Sequence, residues 1–116
     1  MAWMGLNKRE FPRVDISCDI LIDDENEKQI IAKTENLGSG GVCVLLGRPL
    51  DKLSNVELKL SLGHDNLPLT CQGRVVWLVQ SRDLSTHKTT YDTGIEFTNI
   101  KEEDRARISQ FIKKLK

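Results

Sequence analysis

Val56-Glu57-Leu58-Lys59-Leu60-Ser61-Leu62 alternates apolar and polar residues without a break. That period of two places one face of a β-strand in a core and the other in water. Gly63-His64-Asp65-Asn66 turns the chain back, and downstream Leu67, Leu69, Cys71, Val75, Trp77 and Val79 share one phase. Gly73 fills the remaining slot of that run, where a bend or bulge relieves curvature. Residues 81–88 are polar and unpatterned, a loop, before Tyr91, Thr93, Ile95 and Phe97 mark a last strand. Upstream, Val42-Cys43-Val44-Leu45-Leu46 is a covered strand that stops at Gly47-Arg48-Pro49. Glu35 to Gly41 reads as a glycine-rich turn, Gln29 to Thr34 as a strand, and Asp23 to Glu27 as a solvated turn. Before it, Val14, Ile16, Cys18, Ile20 and Ile22 alternate with Asp15, Ser17 and Asp19, one strand over 14–22.

The period changes at the end of the chain. Asn99 can cap a helix and Glu102 can close a capping box, with Glu102, Glu103 and Asp104 at the positive helix start. Ile108, Phe111, Ile112 and Leu115 then form the stripe of an amphipathic helix, and Lys113, Lys114 and Lys116 sit at its negative end. Six strands joined by turns and one terminal helix predict an all-β fold, a six-stranded antiparallel β-barrel with the helix over one end. Closure of this kind removes exposed sheet edges. The 116 residues suit one domain, divided into an N-terminal strap over 1–13 and the barrel with its helix over 14–116.

Composition narrows the function. Seventeen Lys and Arg balance seventeen Asp and Glu, so no overall field gathers a nucleic acid polymer by counterion release. No stretch approaches the roughly 20 apolar residues that span a bilayer, and no export signal opens the sequence, which predicts a cytoplasmic protein without membrane insertion. Cys18, Cys43 and Cys71 are far apart, with no CxxC pair and no histidine at metal-ligand spacing, so no metal is expected. Each is in phase with apolar neighbours and reads as a reduced core thiol. His64 and His87 lie in polar loops, and no nucleophile, base and orienting acid assemble, so no catalytic residue is expected.

Two segments could carry binding. In Arg9-Glu10-Phe11-Pro12-Arg13, Pro12 stiffens the chain, and each guanidinium fork fits guanine O6 and N7 or two phosphate oxygens. A pair of surface arginines before a strand explains the same residues. In Asn36-Leu37-Gly38-Ser39-Gly40-Gly41, glycines allow positive φ and close approach, successive N–H groups can nest an anion, and Asn36 offers an amide to a base edge. A plain glycine-rich turn also fits. Lys8 adds a cation ahead of the strap, and Trp77 is either a stacking surface or a core residue, its phase with Val75 and Val79 favouring the core.

The order of these segments resembles the PilZ family, whose signature is RxxxR before the first strand and [DN]xSxxG after the second. Arg9 and Arg13 match the first, and Asn36 and Gly41 match the ends of the second. Gly73-Arg74-Val75-Val76-Trp77, Gly94-Ile95-Glu96-Phe97 and Glu102-Glu103-Asp104-Arg105 resemble the family's later segments, so the resemblance covers 8–116. It implies a receptor for the bacterial second messenger cyclic di-GMP, held by Arg9, Arg13, Asn36, Gly38, Ser39 and Gly41, with Lys8 and Trp77 as additional contacts. It further implies that ligand-induced ordering of the strap signals to a downstream protein without catalysis or cofactor. One position departs: Gly38 stands where the motif has serine, with Ser39 displaced by one. A PilZ-like domain that has lost the nucleotide and serves as a protein-interaction adaptor is the alternative.

Overall fold

The structure is a computed structural model and describes residues 13–26, 28–63 and 67–115. Seven strands precede one helix: β1 (Arg13–Val14), β2 (Asp19–Asp23), β3 (Gln29–Gly38), β4 (Gly41–Leu46), β5 (Asn55–Leu60), β6 (Leu69–Arg82), β7 (Thr89–Asn99) and α1 (Glu102–Lys114). Neighbours run β1-β3-β2-β5-β6-β7-β4, and β3 also pairs with β4. Strands β2 to β7 therefore form a closed six-stranded antiparallel barrel, with β1 a short extra strand on β3. Among the described residues no helix is long and apolar enough to cross a membrane.

The alternating strands fill the barrel as their pattern requires. Ile20 and Ile22 of β2, Val42, Val44 and Leu46 of β4, Val56, Leu58 and Leu60 of β5 and Ile95 of β7 are buried in one cluster. Each such side chain contributes about 1.5–3 kcal/mol on leaving water. Ile108 and Ile112 of α1 join the same cluster, and Phe111 packs against it, so the helix stripe seals one end of the barrel. Arg105 Nη1 donates to the Ser39 carbonyl at 2.9 Å, and Arg107 Nη2 donates to the Leu67 carbonyl, which fixes the helix across that end. Leu115, the last residue of the expected stripe, is exposed.

Local contacts revise the sequence expectations at four places. The strand expected over 14–22 is broken into β1 and β2 by Thr34, whose hydroxyl donates to the Ile16 carbonyl at 2.6 Å and accepts from the Cys18 N–H at 2.9 Å. A side chain here replaces rungs of the ladder. The glycine-rich turn is shorter than expected, because pairing continues to Gly38 and Gly41 and leaves only Ser39 and Gly40 between the strands. Asn99 does not cap the helix: it is the last residue of β7, opposite Gln72. The N-cap is Lys101, which makes no side-chain capping bond; sheet pairing outweighs the capping preference. Leu67 precedes β6 and is 81% exposed.

Replacing Thr34 by valine keeps the shape but strands the buried Cys18 N–H and the Ile16 carbonyl. Urea unfolding is expected to show a loss of about 1–3 kcal/mol with an unchanged m-value.

Candidate functional site

The outer wall of the barrel at β1, β3, β4, β7 and β6 is built by two register shifts. Along β3, Ile30 and Ala32 pack against the core and Thr34 is buried; the register then shifts between Thr34 and Asn36. Glu35 is the extra residue of this bulge, and it inverts the alternation, so that Leu37 enters the core and Asn36 turns outward. A bulge re-aims side chains in this way. Along β6 a second shift falls between Val75 and Trp77. Val75 is in the core, and beyond the shift Trp77 and Val79 leave it.

These shifts align side chains across five strands. Asn36 pairs with Cys43, Cys43 with Gly94, and Gly94 with Trp77. Arg13, opposite Gly38 on β3, joins the row through its side chain. Its Nε and Nη2 both donate to Asn36 Oδ1, at 3.0 and 2.6 Å. Burial lowers the Arg13 pKa from its usual value, although arginine remains a cation at any physiological pH. The two motif residues that sequence places 23 positions apart are thus in direct contact, and the Asn36 amide oxygen is turned to the arginine.

The remaining sequence-predicted residues divide. Gly38 lies on the same face as Arg13 and Asn36, by strand pairing with the first and period with the second. Ser39 is buried in the turn, one position out of that phase, with its carbonyl bound by Arg105. None of Gly38, Gly40 and Gly41 adopts positive φ, the conformation expected for the turn; the positive-φ glycine among the described residues is Gly63. Gly41 is required for another reason, since a Cβ there would lie 2.3 Å from the Ile95 carbonyl oxygen. Trp77 is half-buried outside the core and lies over Gly94, where a Cβ would meet indole atoms at 2.2–2.7 Å. The phase argument that favoured its core placement fails at the bulge. Arg9 and Lys8 lie outside the described residues.

Sequence reasoning missed the groups beside this row. Cys43 is buried but points away from Val42 and Val44, not into the core with Cys18 and Cys71. Its thiol donates to Glu35 Oε1 at 3.6 Å, and Glu35, Cys43 and Asp92 bring their heteroatoms within 4.8 Å of one another. Burial first, then the Glu35 and Asp92 carboxylates, push the Cys43 thiol up to about 12. At neutral pH it is therefore a protonated donor to Glu35. A glycine inside a strand often marks close approach, and Gly94 was a signal for the Trp77 contact; nothing in one sequence announces the Glu35 bulge.

A concavity of about 610 Å³ lies elsewhere, lined by Asp23, Asp24, Glu25 and Glu57 with Asn55, Val56, Gln72 and Thr98. Its four carboxylates make it a poor place for an anion.

The family model of the PilZ domain matches residues 7–114. The chain belongs to the PilZ domain family. Among solved structures it is similar to the inhibitor of motility MotI/DgrA of Bacillus subtilis, with a TM-score of 0.72 at 20% identity over 90% of this chain and 48% of that one. The PilZ domain of YcgR from Escherichia coli, solved with c-di-GMP, gives 0.72 at 14% identity over 90% and 88%. The MrkH–c-di-GMP complex of K. pneumonia gives 0.71 at 16% identity over 92% and 51%. At these identities the likeness shows the fold, and the chain spans about half the length of MotI/DgrA and MrkH. No curated relative matches the sequence.

Gly41→Ala and Gly94→Ala separate the PilZ scaffold from its wall. Overpacking against backbone at Gly41 is expected to cost about 3 kcal/mol or more. Gly94→Ala is expected to cost about 1–2 kcal/mol and to displace the indole, seen as a red shift in tryptophan emission.

Proposed function

We propose that this PilZ domain is a cytoplasmic receptor that binds cyclic di-GMP on the Arg13–Asn36 face and passes the signal to a partner protein without chemistry of its own. The observation that carries the proposal is the direct contact of Arg13 with Asn36 at 3.0 and 2.6 Å, which joins the two halves of the family signature on one outer wall. YcgR and MrkH, of the same fold, were solved with c-di-GMP.

In this proposal the Asn36 oxygen orients the Arg13 guanidinium, and the Asn36 NH₂ is left to donate to a base or phosphate acceptor. Arg9 supplies the second fork of the strap over 1–13 and Lys8 an added cation. Gly38 gives the ligand room beside Arg13, Ser39 and Gly41 shape the turn, and Trp77 extends the row as an aromatic surface. Engagement of Arg9 and Arg13 orders the strap over the ligand, and this differential binding transmits the signal. The adaptor that has lost its nucleotide remains the second reading, favoured by one observation: no hydroxyl stands at Gly38.

Calorimetry with cyclic di-GMP tests the proposal. A dissociation constant of about micromolar or tighter, near −8 kcal/mol, is expected. Arg9→Ala and Arg13→Ala are each expected to weaken binding by about 1.5–3 kcal/mol, and the Lys variants to fail nearly as badly because lysine lacks the planar fork. Arg13→Ala should also lower folding stability by about 0.5–1.5 kcal/mol through loss of its bonds to Asn36. Absence of heat and of thermal shift at about hundred-micromolar ligand sinks the receptor and leaves the adaptor.

Gly38→Ser places a hydroxyl on the ligand face at a backbone position without positive φ. Binding is expected to tighten by about 0.5–1.5 kcal/mol, up to about tenfold. Weaker binding in a folded variant would show that the ligand needs the space itself.

A further inference from the structure

The carboxyl–thiol cluster adjoins the Arg13–Asn36 row through shared residues. Glu35 precedes Asn36 in β3, and Cys43 is at once the cross-strand partner of Asn36 and the donor to Glu35. Asp92 reaches the cluster from β7, where it is opposite Leu45 of β4 and Val79 of β6. The anionic pair therefore flanks the surface on which a ligand with two phosphates would lie. We propose that Glu35, set against the Asp92 carboxylate, acts as a proton-operated gate on ligand affinity: ionised, it adds to the repulsion of the phosphates from the Arg13 face, and on taking up a proton it relieves that repulsion. The inference rests on cyclic di-GMP being the ligand of this face.

The charged and titratable groups around Glu35 favour such a response. Cys43 faces it from β4 as a neutral thiol and Asp92 faces it from β7. Arg13, from β1, lies beyond Cys43 and is bonded to Asn36. Lys33, two positions along β3, is engaged by Asp19 at 3.6 Å. Burial first, then hydrogen bonding to and repulsion by Asp92, hold the Glu35 carboxyl above the usual glutamate range. A like charge this close disfavours ionisation of Glu35. The sign follows: lowering the pH through the raised Glu35 pKa removes a negative charge near the phosphates and tightens binding.

Calorimetry with cyclic di-GMP at constant ionic strength, from about pH 8 down to about pH 5, reads the gate. The dissociation constant of the wild type is expected to fall about threefold or more. Glu35→Gln should bind tightly at both limits with a flat profile, and Asp92→Asn, which removes a fixed negative charge but keeps Glu35, should bind more tightly than the wild type at the upper limit while retaining a pH dependence. Binding that is independent of pH in the wild type overturns the gate and leaves the receptor standing, as does an equal pH dependence in Glu35→Gln. Failure of all three proteins to bind at any pH overturns the receptor and the gate together.

A readout without ligand isolates the pair. A carboxyl whose pKa is raised in the folded state gives stability that is present at low pH and lost as pH rises through that pKa. The melting temperature of Glu35→Gln minus that of the wild type should therefore grow more positive from about pH 5 to about pH 8. A constant difference means that folding does not raise the Glu35 carboxyl and overturns the gate whatever the binding data show.

Discussion

Strand β3 has to satisfy both of its edges, because it is where the barrel closes: β2 and β1 pair along one side and β4 along the other. Sheet twist accumulates around a closed barrel and has to be taken up somewhere, and along β3 the register shifts between Thr34 and Asn36. It is taken up at Glu35. The bulge there lets Thr34 remain inward, where its hydroxyl holds the break between β1 and β2, while Asn36 turns out to meet Arg13. Closure, the entry of the N-terminal segment and the candidate binding face are thus three consequences of one inserted residue. A regular β3 would aim Asn36 into the core, where an amide without partners costs several kcal/mol.

The fold was legible because most of the barrel obeys period two. Val56 to Leu62 and Ile20 to Ile22 face the core as their alternation requires, and Gly73 falls at a register shift, where its missing side chain suggested one. What was not legible shares a cause. Trp77, Val79 and Cys43 were given to the core by phase; the first two lie beyond an inserted residue in β6, and Cys43 belongs to a strand read as covered on both faces. Asn99 and Glu102 looked like a capping box because local sequence does not contain the β6 partner that holds Asn99 in the sheet. Asn36 and Arg13 were singled out as residues, but their hydrogen bond depends on a register that one sequence does not encode locally.

The turn of the family motif shows how a departure in sequence can be small in geometry. Gly38 keeps its place in the strand ladder, with Arg13 and Gly41 as partners. What is lost is one outward substituent. Ser39 does not replace it, because it is buried in the turn beyond the strand and its carbonyl is already bound by Arg105 of the helix. Gly41, by contrast, serves packing: the β7 backbone comes too close for any side chain. A motif that reads as one ligand loop is thus divided between the candidate binding face, a helix anchor and a barrel contact.

Rigidity is the property that would suit this wall to the proposed recognition. Arg13 is half-buried and held by two bonds to one oxygen, so its fork is oriented when the protein folds, and a ligand need not immobilise a free side chain at a cost of about 0.5–1.5 kcal/mol. Trp77 is fixed over Gly94 in the same way. The carboxyl pair beside them is the opposing element, since a surface built only to attract phosphates would hold any of the abundant cellular phosphates. In the proposed site, one oriented arginine set against two nearby carboxylates would disfavour bare anions and leave the advantage to a ligand that also offers a base to the amide and the indole.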